Sequence, residues 1–86
     1  ASPLIVIEVL SADTADKDLR RNRRLYLSVP SIEEYWILDP RESAAAPSLT
    51  VLRRRGGRWA SRRFAAGATV TTPALPGFAL VLDPPE

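Results

Sequence analysis

The sequence predicts a mixed α/β domain made of a βαβ unit, a β-hairpin and a short closing strand. Three observations carry that class. Two apolar runs, at 4–10 and 34–39, flank a segment with helical periodicity. A later Arg55-Gly56-Gly57 separates two extended segments, as a hairpin turn does. With 86 residues, the chain reads as one domain over 1–86, close to the smallest size that a single core sustains.

The first run, Leu4-Ile5-Val6-Ile7-Glu8-Val9-Leu10, is rich in β-branched side chains and does not alternate. It predicts a strand covered on both faces. Glu8 is its one charged residue. An ionised carboxylate in such surroundings loses hydration unless a metal ion, a lysine or an arginine meets its charge. The plainer alternative is a glutamate at the strand's end, facing solvent or engaged in a salt bridge.

Ser11-Ala12-Asp13-Thr14 then signals a helix start, and the Asp13/Asp16 spacing resembles a capping box. Asp16 and Asp18 come early and the arginines at 20–24 late, in keeping with the helix dipole. The helix is expected over about 15–28, ending before Pro30. Ala15, Leu19, Tyr26 and Val29 form its apolar stripe, which Asn22 interrupts. Glu8 shares a strand face with Leu4, Val6 and Leu10. A helix packed on that face turns Asn22 and Asp18 toward the carboxylate. Otherwise Asn22 bonds to backbone or water at the sheet's edge.

The second run, 34–39, ends at Pro40 and completes the βαβ unit, whose strands should be parallel with a right-handed crossover. A loop at 41–47 leads to the hairpin arms, 48–54 and 58–64. Alternation puts Leu49 and Val51 on one face, Thr50 and Leu52 on the other. Thr69-Val70-Thr71 is a short extended piece. The chain then turns through Pro73 and Pro76-Gly77 into a final strand or extended cover at 78–82. Tyr35 and Trp36 read as core. Trp59, just past the turn, either stacks on a base or covers the sheet.

Composition narrows the chemistry. There is no cysteine and no histidine, which excludes disulfides, thiolate or histidine zinc sites and Ser-His-Asp catalysis. No stretch is long enough for a membrane span and the start is not that of a signal peptide. A soluble, cytoplasmic protein without a membrane partner is expected. Net charge is +2, and eleven of the twelve basic residues are arginines. Arginine clusters suit phosphate contact. Arg21, Arg53, Arg55 and Arg58 are the candidate DNA contacts, against the plainer reading of arginines on a solvated surface.

The motifs P-L-I-V-I-E-V-L-S, D-x3-N-x3-Y, V-P-S-I-E-E-Y-W-I-L-D-P and G-A-T-V-T-T-P-A-L-P-G-F-A-L-V-L follow one another in order. Their series resembles the carboxyl-terminal part of the bacterial putative restriction endonuclease family, within the PD-(D/E)XK nuclease superfamily. The resemblance implies a restriction-endonuclease-like core and Mg²⁺-dependent hydrolysis of DNA phosphodiester bonds. In such sites an aspartate and a glutamate hold the metal, and a lysine helps activate the attacking water. Glu8 matches the glutamate. Val9 stands where a backbone carbonyl completes the coordination, and Asn22 stands where the lysine precedes a tyrosine by four residues.

This sequence departs from the pattern twice. Asn22 has no charge, and Arg21 and Arg23 lie about 100° around the helix. Lys17, the lone lysine, is also off that face. The metal-binding aspartate of an upstream Pro-Asp has no match, and Leu4 follows Pro3 where some members read Pro-Asp. The expectation is therefore an endonuclease domain, truncated and weakly active or inactive. The alternative is a non-catalytic nucleic-acid-binding or assembly module. Lacking the upstream part, the Glu8 strand would be left with an open edge and exposed apolar surface, so a homo-oligomer is expected.

Overall fold

Strand, helix and strand come first in the chain, then four further strands. The structure, a computed structural model, describes residues 4–43 and 45–82; Pro3 of the motif series and Ala44 of the 41–47 loop lie outside them. The elements are β1 (Leu4–Val9), α1 (Asp16–Leu27), β2 (Ile32–Asp39), β3 (Ser48–Arg55), β4 (Arg58–Phe64), β5 (Thr69–Thr71) and β6 (Ala79–Val81). Strands β1 to β4 form one sheet in sequence order, and β5 pairs with β6 in a second. β1 runs parallel to β2, while the other pairs are antiparallel. The mixed α/β class, the βαβ unit and the hairpin are as expected. No helix among the described residues is long and apolar enough to cross a membrane.

The main sheet is covered on both faces, and strand alternation decides which residue serves which. Toward α1, Leu10, Tyr35, Ile37 and Leu52 are buried, with Val6, Leu19, Tyr26, Leu27 and Trp59 packed around them. Toward β5 and β6, Trp36, Leu49, Val51, Val70 and Leu82 form a second core. The expected final strand is thus a layer of its own. β2 supplies both cores from successive residues, which accounts for its continuous apolar run.

α1 is shorter than expected and differs at both ends. Its N-cap is Ala15, without a side-chain cap; Thr14 Oγ1 instead accepts the Ser11 backbone N–H at 3.0 Å, so the capping box does not form. At the other end the Ser28 hydroxyl donates to the Leu25 carbonyl at 2.7 Å, and the helix stops at Leu27. Val29 precedes a proline, which disfavours helical backbone. It is exposed, and Leu27 takes its place in the core.

Side chains from the sheet fasten each end of this short helix. Arg41, chelated by Asp39 through Nε at 2.9 Å and Nη2 at 3.1 Å, also reaches Asp16 at 3.6 Å. The Arg41 hydrogen bonds hold the Asp39 carboxyl below its ordinary range. At the C-terminus Arg54 donates to the carbonyls of Ile32, Leu27 and Val29, and its guanidinium lies 4.3 Å over the Trp59 ring. Trp59 donates its own N–H to Leu27 O at 3.3 Å, so it serves as cover for the helix.

The hairpin turn is Gly56-Gly57, with φ of 55° and 82°. Both central residues of a type I′ loop need positive φ, which glycine adopts without steric cost. On the face away from α1, Glu34 is 2% exposed and is met by Trp36 Nε1 at 2.8 Å, by the Thr72 hydroxyl and by Arg53 Nε at 3.4 Å. β2 begins two residues before the expected 34–39 run, with Ile32 and Glu33 preceding this buried acid.

β1 is an edge strand among the described residues. Leu10 N–H donates to Leu38 O at 2.9 Å. In a parallel ladder alternate residues face the partner. Val6 and Glu8 therefore direct their peptide groups toward β2, and Ile5, Ile7 and Val9 direct theirs to the open side. Ile7 and Val9 are 59% and 63% exposed.

Candidate active site

Glu8 lies on the α1 face of β1, where its register opposite Ile37 places it diagonally from Tyr35 on the same face. It is half-buried, stands one residue before the end of β1, and forms no salt bridge among the described residues. Asn22 Nδ2, from α1, donates to Oε1 at 3.4 Å, and the Tyr35 phenol donates to Oε2. Tyr26 packs edge-on against Tyr35 with ring centroids 5.1 Å apart. The helix thus docks on the Glu8 face and Asn22 meets the carboxylate. Asp18 does not join them; it pairs with Arg21 at 3.3 Å on the helix surface.

Tyr35 is the member that the sequence reading placed only in the core. Its phenol is fully buried, and burial first, then the hydrogen bond and charge of Glu8, push its pKa well above the ordinary tyrosine value. Tyr26 adds to this and Arg23 opposes it. A neutral phenol and a neutral amide therefore hold an anion. Strand alternation puts Tyr35 and Ile37 on one face, but only the β1–β2 register reveals what Tyr35 touches.

The resemblance implies Mg²⁺ held by Glu8 and the Val9 carbonyl. Such an ion is bound through one or two carboxylates and keeps near-ideal octahedral geometry. Val9 presents its carbonyl on the open edge, but both Glu8 oxygens already accept hydrogen bonds. Among the described residues no group of three or more acidic, cysteine or histidine side chains could hold a metal. Glu8 and the Val9 carbonyl offer, among the described residues, only two of the six ligands of an octahedral ion, too few for a divalent-cation centre by themselves.

The candidate DNA-contacting arginines are not gathered around Glu8. Arg53, Arg55 and Arg58 share the face of β3 and β4 opposite α1, since Arg53 stands across from Ala60 and Arg55 from Arg58. The Glu8 row crosses β3 at Thr50, five residues from Arg55, or about 17 Å along the strand. Arg53 is committed to Glu34 and to the Thr71 carbonyl. Only Arg21, on α1, lies on the Glu8 side of the sheet.

A mixed sheet whose parallel edge strand turns a carboxylate toward the crossover helix is a mixed α/β arrangement consistent with a nuclease-like fragment. Comparison with known families makes the assignment specific: the chain belongs to the family described as putative restriction endonuclease (Uma2), whose model matches residues 1–83. Comparisons with curated proteins and with solved structures each return no significant match.

The Tyr35 environment has a consequence for stability. Its pKa in the folded state exceeds the unfolded value of about 10, so above that pH the folded chain holds more protons than the unfolded one. The contribution is complete below pH 10 and is lost as pH rises toward the folded value. Stability should decline above about pH 10, by at most about 1.4 kcal/mol per pH unit from this group. Tyr35→Phe should remove that component in denaturant titrations; parallel wild-type and variant pH profiles would contradict the assignment.

Proposed function

We propose that this chain is a DNA-directed, nuclease-family domain whose Glu8 centre does not by itself hydrolyse phosphodiester bonds. Family membership supports the substrate class, and a cytoplasmic location beside DNA goes with it. The observation that carries the inactivity is the engagement of both Glu8 oxygens by Asn22 and Tyr35. Metal-assisted hydrolysis needs a cation that polarises a phosphoryl oxygen and acidifies a water. A lone carboxylate committed to two neutral donors is a poor seat for one. An amide at position 22 also leaves no ammonium to orient the attacking water.

What Glu8 does on this reading is structural. It draws α1 and β2 together by accepting from each, in a partly buried setting where charge-assisted hydrogen bonds are strong. Supercoiled plasmid incubated with Mg²⁺ or Mn²⁺ should be cut no faster by the wild type than by Glu8→Ala. Metal-dependent cleavage that Glu8→Ala abolishes would overturn the proposal.

The open edge of β1 favours an assembly role alongside this. Peptide groups at Ile5, Ile7 and Val9 that are unpaired among the described residues, flanked by the exposed Leu4, Ile7 and Val9 side chains, are a template for strand addition. We place the contact of a homo-oligomer there. Light scattering at micromolar concentration should give a mass above that of one chain, and Ile7→Lys with Val9→Lys should reduce it to a monomer. A monomeric wild type would dismiss this contact.

A further inference from the structure

Between the β3–β4 face and the β5–β6 sheet lies a cleft of about 580 Å³, within the size range of small-ligand sites. It opens on the side of the main sheet opposite Glu8. Arg53, Arg55 and Arg62 line it together with Phe64, Thr69 and Thr71, and no carboxylate does among the described residues. The three guanidinium groups are not equivalent. Arg53 is neutralised from behind by Glu34 and tied to the Thr71 carbonyl at 3.2 Å. Arg55 and Arg62 form no ion pair among the described residues.

Strand alternation gathers this charge. Arg53 and Arg55 project from one face of β3, and Arg62 stands across from Val51 on the same face of β4. Arg55 further faces Arg58 directly across the pair, and like charges so placed repel. Yet the arrangement is held: the Arg62 guanidinium lies 4.9 Å over the Phe64 ring, which fixes its position beside the cleft. A concave surface with two partly fixed guanidinium groups, unpaired among the described residues, and threonines at its rim is suited to an anion with several acceptor oxygens. Arginine forks match phosphate oxygens in pairs.

We propose that this cleft binds a phosphate group, with Arg55 and Arg62 as the contacting cations and Arg53 as a held wall. The phosphate belongs either to a polynucleotide backbone or to a free nucleotide; both offer the same oxygens. The site is independent of Glu8, because the sheet separates the two. It also sorts three of the hairpin arginines: Arg55 and Arg62 contact the ligand, and Arg53 serves the fold.

Fluorescence anisotropy of a short fluorescein-labelled oligodeoxynucleotide tests the proposal. The wild type should bind, and Arg55→Ala with Arg62→Ala should weaken binding by about tenfold or more. The slope of log affinity against log salt should fall by about two, one counterion for each guanidinium removed. Arg55→Lys with Arg62→Lys should keep most of the slope. An unaltered urea midpoint in the double alanine variant separates lost contact from lost fold. Displacement of the oligonucleotide by millimolar adenosine monophosphate or inorganic phosphate identifies a free-phosphate ligand, and resistance identifies the backbone. Binding equal to wild type in the double alanine variant, or no wild-type binding of the oligonucleotide, adenosine monophosphate or inorganic phosphate, overturns the proposal. Because Arg55 and Arg62 lie on the sheet face opposite Glu8, neither result bears on the Glu8 reading.

Discussion

The fold depends on one carboxylate being accommodated at the junction of β1, α1 and β2. β1 has a single neighbour in the described sheet, so its place is set by the β2 ladder on one side and by α1 across its face. Glu8 is the polar point of that second contact, accepting from Asn22 on the helix and Tyr35 on the strand. α1 itself buries no residue completely and has only Leu19, Tyr26 and Leu27 in the core. Arg41 at one end and Arg54 with Trp59 at the other compensate for that meagre apolar face. They hold the helix at the height where Asn22 reaches the carboxylate.

The sheet carries a second sequestered acid, and the contrast between the two is instructive. Glu34, on the opposite face, is met by a guanidinium, a hydroxyl and an indole N–H. Breaking a buried pair of that kind leaves an uncompensated charge and is costly, which is why Arg53 belongs to the fold. Glu8 is only partly buried and has no cation in contact among the described residues, so neutral donors suffice. One acid therefore recruits a charge and the other recruits dipoles. Arg55 and Arg62, which form no ion pair among the described residues, line the outer cleft.

Much of this was legible in the residues, because it is local. The isolated Glu8 in an apolar run, the asparagine interrupting the helical stripe and the Gly-Gly turn each follow from chain-neighbour rules, and each falls where expected. What was not legible depends on register between distant segments. Tyr35 looked like plain core because its phenol is 27 residues from Glu8 and meets it only through the β1–β2 pairing. The Glu34–Arg53 pair waited on the β2–β3 ladder, where the two stand directly opposite. Arginines adjacent in sequence proved unlike: Arg53 and Arg55 share one face, while Arg54 between them turns to the helix C-terminus. The Asp13/Asp16 capping signal failed because Thr14 bonds within its own turn and Arg41 serves the helix start.

Family membership and the Glu8 geometry pull in different directions, toward DNA hydrolysis and away from a working metal centre. They are reconciled if the carboxylate now serves to join elements of the fold. A double-mutant cycle on Glu8→Leu and Tyr35→Phe, read from urea unfolding at neutral pH, addresses that claim most directly. Each single change should strand a buried polar partner, and the double variant should recover between about 1 and 3 kcal/mol of the summed losses. Losses that add to within about 0.5 kcal/mol would mean that the two side chains do not interact, and the account would fail.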